Sequence, residues 1–144
     1  MKKFAFALQP VLNLREQEEK TARTELGKRT AECDRIRRRM ADHINLLGRF
    51  VGEENRDVDW QAYQETADFI RTQNCRLTDE LGQAEERRRE ALDVYRQALN
   101  RKKVFEKLKE RREEEFLRNQ REKENKILDD LFASRETYKR SLKK

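Results

Sequence analysis

Apolar residues recur along the first third of the chain at alternating steps of four and three. Nine of the 13 positions in this ladder are apolar. The ladder visits Leu8, Leu12, Arg15, Glu19, Ala22, Leu26, Arg29, Cys33, Ile36, Met40, His43, Leu47 and Phe50. Its mean step is the 3.5-residue period of a left-handed coiled coil. The pattern predicts a first helix over about residues 10–51, with Pro10 in the first turn, where proline is favoured.

A second ladder with the same steps follows, and 11 of its 14 positions are apolar. It visits Trp60, Tyr63, Ala67, Ile70, Asn74, Leu77, Leu81, Ala84, Arg88, Ala91, Tyr95, Ala98, Lys102 and Phe105. The polar stretch between the ladders predicts a turn over about residues 52–58, with Asp57 or Asp59 capping the next helix. Since no Gly or Pro follows Gly82, the second helix is expected over about residues 59–140.

Two long helices joined by a short turn pack as antiparallel neighbours. The predicted fold is therefore all-α: residues 1–144 form a single domain, an antiparallel left-handed coiled-coil hairpin whose second helix overhangs at its C-terminal end. Pairing Phe50 with Trp60 sets a register in which His43 faces Ala67. The same register brings Cys33 and Cys75 near each other, and we expect both to be free thiols.

Composition excludes a compact globule, because 44% of the residues are charged and only 35% are apolar. A disordered chain or long helices with a narrow apolar seam would fit, and the periodicity favours helices. No apolar run approaches the roughly 18 residues that cross a membrane. The short apolar stretch after Lys2 and Lys3 ends at Gln9-Pro10, so we expect a mature cytoplasmic protein rather than a signal peptide.

Charge is unevenly distributed along the chain. Residues 1–99 contain 19 basic and 19 acidic residues, whereas residues 100–144 contain 16 basic and 10 acidic ones. The formal charge of +6 thus belongs to the predicted overhang, residues 100–144, which we expect to lack a partner within the chain. An unpaired basic helix is suited to docking on an acidic partner. Two alternatives remain: pairing of the overhang with a second copy in a generic scaffold, and an RNA-binding arm, which the interleaved acidic residues disfavour.

Catalytic chemistry is not indicated. The one histidine, His43, falls on the seam, and the two cysteines lie 42 residues apart, which does not make a zinc site. No glycine-rich phosphate loop or nucleophile motif is present, and a two-helix seam has no room for a substrate pocket. We therefore expect a non-enzymatic protein without catalytic, cofactor-binding or metal-binding residues. Binding to other proteins is the expected activity.

The opening of the chain carries a family resemblance. Residues 4–16 read Phe-Ala-Phe-Ala-Leu-Gln-Pro-Val-Leu-Asn-Leu-Arg-Glu, which resembles the start common in the FliJ family of the flagellar type III export apparatus. Alternating phenylalanines are followed there by a leucine-rich run, an arginine and glutamates. The entry to the second helix, Trp60-x-x-Tyr63-Gln64, and the charged C-terminal helix are also similar to that family.

The resemblance implies a stalk similar to the helical hairpin of the ATP synthase gamma subunit. Such a stalk would bind a hexameric export ATPase and regulate it, and would link it to the membrane protein of the export gate and to export chaperones. It would lie in the cytoplasm, peripheral to the inner membrane through its partners, without nucleic acid or cofactor. The stalk proteins of virulence-type secretion systems are a related alternative, and the phenylalanine-rich opening favours the flagellar branch.

The resemblance also implies two sets of contact residues, one near each end. Candidates for ATPase binding are Phe4, Phe6, Leu8, Arg118, Arg121, Lys123 and Lys126. Candidates for export-gate binding are Leu46, Phe50, Trp60, Tyr63, Phe69 and Ile70. Several gate candidates are seam positions, where packing explains them equally well. Leu46 and Phe69 lie off the ladder and are therefore preferred.

Overall fold

Two long α-helices make up nearly all of the chain that the structure describes. The computed structural model describes residues 2–52 and 59–143. For residues 50–52 it describes the backbone only. Helix α1 spans Gln9–Gly52 and helix α2 spans Trp60–Leu142, and these described ranges contain no strand. The helices pack against each other, which confirms the predicted all-α helical hairpin.

Helix α2 begins with a side-chain cap. The Oδ1 atom of Asp59 accepts hydrogen bonds from the backbone N–H groups of Gln61 at 3.1 Å and Ala62 at 3.2 Å. These groups have no partner inside the first turn of a helix, and an aspartate at this position satisfies them. The other predicted cap, Asp57, and most of the predicted turn lie outside the described residues.

Chain contacts divide the molecule into two compact units. One combines Met1–Arg15 with Arg101–Lys144, and the other is Glu16–Asn100. The second unit contains a hydrophobic cluster of Cys33, Ile36, Leu77 and Ala84, with Met40 and Leu81 packed against it. All six residues belong to the predicted ladders. Burial confirms the ladders more widely, since every described ladder residue except Trp60 is buried or half-buried.

The register of the hairpin differs from the predicted one by about one heptad. His43 was expected opposite Ala67, but its ring Nδ1 hydrogen-bonds Oδ1 of Asn74, seven residues further along, at 2.9 Å. Two ion pairs between the helices agree with this shift: Arg37 with Glu85 at 2.8 Å and Glu32 with Arg87 at 2.9 Å. The predicted register, with His43 opposite Ala67, is therefore wrong.

A polar match across the seam distinguishes the observed register from the predicted one. The ladder pattern repeats every seven residues, so a shift by one heptad leaves apolar positions facing apolar positions. In the predicted register His43 would face an alanine, whereas the observed register pairs it with the polar Asn74. Pairing two seam polar groups avoids the cost of burying each without a partner. The shift also separates the cysteines along the hairpin, and Cys33 is buried while Cys75 is exposed, both as free thiols.

The predicted overhang is shorter than expected, because residues 2–15 cover part of it. Residues 2–8, here called the N-terminal arm, precede helix α1 and reach Gln120, whose side-chain amide donates to the Lys2 carbonyl oxygen at 3.2 Å. Helix α2 therefore has an internal partner as far as Gln120, and the expectation that it lacks one from residue 100 is wrong. The described residues beyond that point, 121–143, are all exposed and are here called the terminal segment.

Candidate partner-binding surfaces

The N-terminal arm brings two of the predicted ATPase-binding residues, Phe4 and Phe6, onto helix α2. The ring of Phe4 lies 5.7 Å from that of Phe116 between centroids, in a tilted arrangement. Phe6 is only 8% exposed, and the Arg112 guanidinium carbon lies 5.9 Å from the centre of its ring. Such ring pairs and cation–π contacts each contribute on the order of 1 kcal/mol. Phe6 thus packs within the chain, while Phe4 and Leu8 are half-buried.

The four predicted basic ATPase-binding residues lie close to the arm along helix α2. Arg118, Arg121, Lys123 and Lys126 are all exposed. The contact between Gln120 and Lys2 lies within this stretch, so the structure brings the aromatic and basic candidates together in one unit. Positive charge from both segments is concentrated there and is available to an acidic partner.

The terminal segment exposes apolar residues as well as charge. Six of its large hydrophobic side chains are exposed: Ile127, Leu128, Leu131, Phe132, Tyr138 and Leu142. At about 100° per residue, Ile127, Leu131, Tyr138 and Leu142 fall within roughly 60° of each other around the helix. The segment is therefore amphipathic, with one apolar face that no described residue covers.

Two predicted gate-binding residues share an exposed face of the hairpin. Leu46 and Phe69 are 43% and 62% exposed, and each immediately precedes a seam residue. Glu32 has the heptad position of Leu46 and bonds Arg87 across the helices, whereas Phe69 precedes the other class of seam residue and lies on the same side but further from the seam. Leu46 and Phe69 therefore lie on the same face as that ion pair, and the helical numbering places them at nearly the same level.

The remaining gate candidates divide by burial. Trp60 is 69% exposed and meets the ring of Tyr63 edge-on at 5.9 Å between centroids. Tyr63 is half-buried, and Ile70 is only 3% exposed, so Ile70 packs in the seam. The side chain of Phe50 lies outside the described residues.

Sequence reasoning missed the residues that receive the arm. Phe116, Arg112 and Gln120 contact Phe4, Phe6 and Lys2. A sequence signal did exist, because Phe105 and Phe116 stand 11 residues apart in a segment poor in other aromatic residues. Such spacing places both rings on one side of a helix, ready to receive the arm.

A buried carboxylate also lies in the seam. Glu19 is 1% exposed and pairs with the guanidinium of Arg23, one turn further along helix α1. The hydrogen bond that Arg23 donates to Glu19, together with the charge of Glu19, raises the pKa of Arg23. A buried carboxylate is tolerated only when it is paired in this way, so this pair serves packing rather than partner binding.

Residues 2–52 and 59–143 contain no candidate membrane span and no candidate metal cluster. No helix in these ranges is apolar enough over 18 residues to cross a membrane. The same ranges contain no grouping of three or more His, Cys, Asp or Glu side chains that could hold a metal ion.

Comparison with known protein families gives a match over nearly the whole chain. The family model described as "Flagellar FliJ protein" matches residues 4–142, nearly the whole chain. Curated proteins and solved structures give no significant match. The match begins within the N-terminal arm, includes both helices and ends within the terminal segment.

Proposed function

The chain belongs to the flagellar FliJ protein family, and from this we propose that it is a non-enzymatic stalk of the flagellar export apparatus. Membership establishes a role associated with flagellar export, with partners in that apparatus. The family match over residues 4–142 is the observation that carries the proposal. It favours the flagellar apparatus over a virulence-type system, a generic scaffold and an RNA-binding arm.

The proposed ATPase-binding end is the unit that contains the N-terminal arm and the terminal segment. Its exposed basic residues Arg118, Arg121, Lys123 and Lys126 stand beside an uncovered apolar face. Basic groups steer a protein toward an acidic surface, and apolar side chains supply affinity after contact. This combination supports docking inside the hexameric export ATPase.

The proposed gate-binding surface is the face that contains Leu46 and Phe69. Exposed apolar side chains close together on an otherwise charged hairpin are typical of protein-binding sites. Trp60, near the same end of the helices, adds a further exposed aromatic side chain. Through these two surfaces the protein would connect ATPase and gate at the cytoplasmic face of the inner membrane. Export chaperones are proposed as further partners on the basis of family membership.

A binding experiment separates the two surfaces. The purified chain is titrated against the cognate export ATPase and, separately, against the cytoplasmic domain of the export gate. Leu46→Asp with Phe69→Asp should weaken gate binding by at least about tenfold and leave ATPase binding unchanged. Ile44→Asp is the matched control, because Ile44 is 60% exposed and follows a seam position, which places it on the opposite face.

The complementary variant reverses the charge of Arg121, Lys123 and Lys126 to glutamate. It should weaken ATPase binding and leave gate binding unchanged, while Arg38→Glu with Arg39→Glu, in helix α1, should affect neither. An equal loss of affinity for both partners would indicate a folding defect, which circular dichroism would show as lost helicity. Unchanged ATPase binding by the charge-reversed variant would refute the proposed ATPase-binding end.

A further inference from the structure

The repeat along helix α2 changes at Phe105. Before it, the buried residues recur every seven positions: Ile70, Leu77, Ala84, Ala91 and Ala98. From Phe105 onward, large apolar side chains recur every 11 positions: Phe105, Phe116, Ile127 and Tyr138. Eleven residues make three turns at about 3.67 residues per turn, which keeps these side chains almost in line along a straight helix. We call these four residues the eleven-residue stripe.

The two halves of the eleven-residue stripe differ in what covers them. Phe105 and Phe116 are half-buried, with Arg15 lying 5.9 Å from the ring of Phe105 and Phe4 against Phe116. Ile127 and Tyr138 are 59% and 65% exposed. The N-terminal residues therefore cover the first two residues of the eleven-residue stripe, and the last two are open.

The arm lies on helix α2 without helical structure of its own. Its residues 2–6 form no helix, and its described contacts with helix α2 are Phe4 on Phe116, Phe6 beneath Arg112 and the Gln120–Lys2 hydrogen bond. Phe6 is buried, whereas Phe4 is half-buried. Releasing Phe4 breaks no helical hydrogen bond, so an occupant that packs better against Phe116 can displace this part of the arm.

We propose that the eleven-residue stripe is the docking surface for an acidic amphipathic helix of a partner protein. That helix binds the open half and displaces the N-terminal arm from Phe116. The arm is thus an internal competitor that reduces the affinity for the partner. This goes beyond the proposed function, since it concerns the chemistry of the occupant and the movement of the arm, whichever export component supplies the helix.

Charge selects this occupant over a second copy of the chain. Residues 101–144 contain 16 basic and 10 acidic residues, so two copies paired along the stripe would bring two positive segments together. A partner helix with glutamates on both sides of its apolar face replaces this repulsion with attraction. The arm contact indicates which apolar side chains the occupant carries. Phe4 shows that a large apolar side chain fits against Phe116.

The test uses the full chain and a synthetic helical peptide as the probe. The peptide has leucines at the spacing of the stripe and glutamates on both flanks, and a matched peptide has lysines in place of the glutamates. A spin label on Lys3→Cys, with Cys33→Ala and Cys75→Ser, reports the mobility of the arm. Helicity of this labelled chain is checked first, since Cys33 is fully buried.

We expect the glutamate peptide to bind and the label to become mobile as it binds. Phe4→Ala should tighten binding several-fold, because the binding-competent state becomes more populated. Ile127→Asp, at an exposed position, should weaken it by at least about tenfold. Val104→Ala is the matched control, because Val104 is 63% exposed and lies outside the stripe.

Three results would overturn the proposal. Equal binding of the lysine peptide would remove the argument from charge. Binding without any increase in label mobility would show that the arm is not displaced. Unchanged affinity in Phe4→Ala would show that the arm does not compete. These readouts need neither the export ATPase nor the gate, so their failure is distinct from failure of the proposed function.

Discussion

His43 and Asn74 form a polar contact across the helical seam, with Nδ1 of the ring 2.9 Å from Oδ1 of the amide. Both residues are half-buried, on different helices, between layers of apolar side chains. A polar group at one seam position that finds a polar partner on the other helix fixes the axial alignment of a coiled coil. We infer that this pair selects the observed register over the alternative one heptad away.

Replacing one member of the pair should therefore cost more than replacing both. His43→Leu or Asn74→Leu leaves the other polar side chain without its partner in the seam, and we expect a loss of about 1–3 kcal/mol in the free energy of unfolding. The double variant should recover most of this loss. Urea unfolding followed by helical circular dichroism measures all three, and additive losses would contradict the inferred coupling.

Arg37 and Glu85 test the register from the surface of the hairpin. Their side chains are 50% and 31% exposed and meet at 2.8 Å. A double-mutant cycle with Arg37→Glu and Glu85→Arg should give a favourable coupling of about 0.2–1 kcal/mol, which decreases at high salt. In the register predicted from sequence the two residues would be too far apart to interact, so zero coupling would favour that register. Arg38→Glu paired with Glu85→Arg is the control cycle.

Much of the fold could be predicted from the ladders, and the part that could not has a physical cause. Alternating steps of four and three identify which residues face the seam, as the burial of Cys33, Ile36 and Leu77 confirms. They do not identify which heptad faces which, because the pattern matches itself after seven residues. The sequence does contain one indication of the register, because His43 and Asn74 are two polar residues at seam positions that can pair with each other.

The candidate sites were less predictable than the fold. Sequence placed Phe6 at an ATPase interface and Ile70 at a gate interface, but both side chains are buried within the chain. An apolar residue near a seam gives the same sequence signal whether it packs internally or binds a partner. Leu46 and Phe69 could be singled out because they lie off the ladder, and their exposure leaves them available to a partner.

Truncating a buried leucine should lower the free energy of unfolding far more than truncating an exposed one. Leu77 is 4% exposed within the hydrophobic cluster, whereas Leu14 is 55% exposed. Leu77→Ala should lower the free energy of unfolding by about 2–5 kcal/mol, because it removes buried methyl groups and leaves a cavity. The same substitution at Leu14 should change it by less than about 0.5 kcal/mol. Thermal and urea unfolding of both variants measure the difference, and equal losses would contradict the observed packing.

The start of helix α2 should depend on Asp59. Asp59→Ala removes the acceptor for the N–H groups of Gln61 and Ala62, and we expect a cost of about 0.5–2 kcal/mol. Asp59→Asn keeps a side-chain oxygen in place and should cost much less. Hydrogen exchange of the first turn gives a local readout. Equal exchange in both variants would show that the cap contributes little there.

The ATPase end gives the most direct test of the proposed role. ATP turnover by the cognate hexameric export ATPase is measured with increasing amounts of the full chain, and with a variant lacking residues 121–144. This truncation keeps Gln120, and with it the contact that holds the arm. We predict that the full chain raises turnover at about one chain per hexamer, that salt weakens the effect, and that the truncated chain has lost most of it. Equal stimulation by the truncated chain, or none by the full chain with a competent ATPase, would contradict the proposal that this protein is the stalk of the export ATPase.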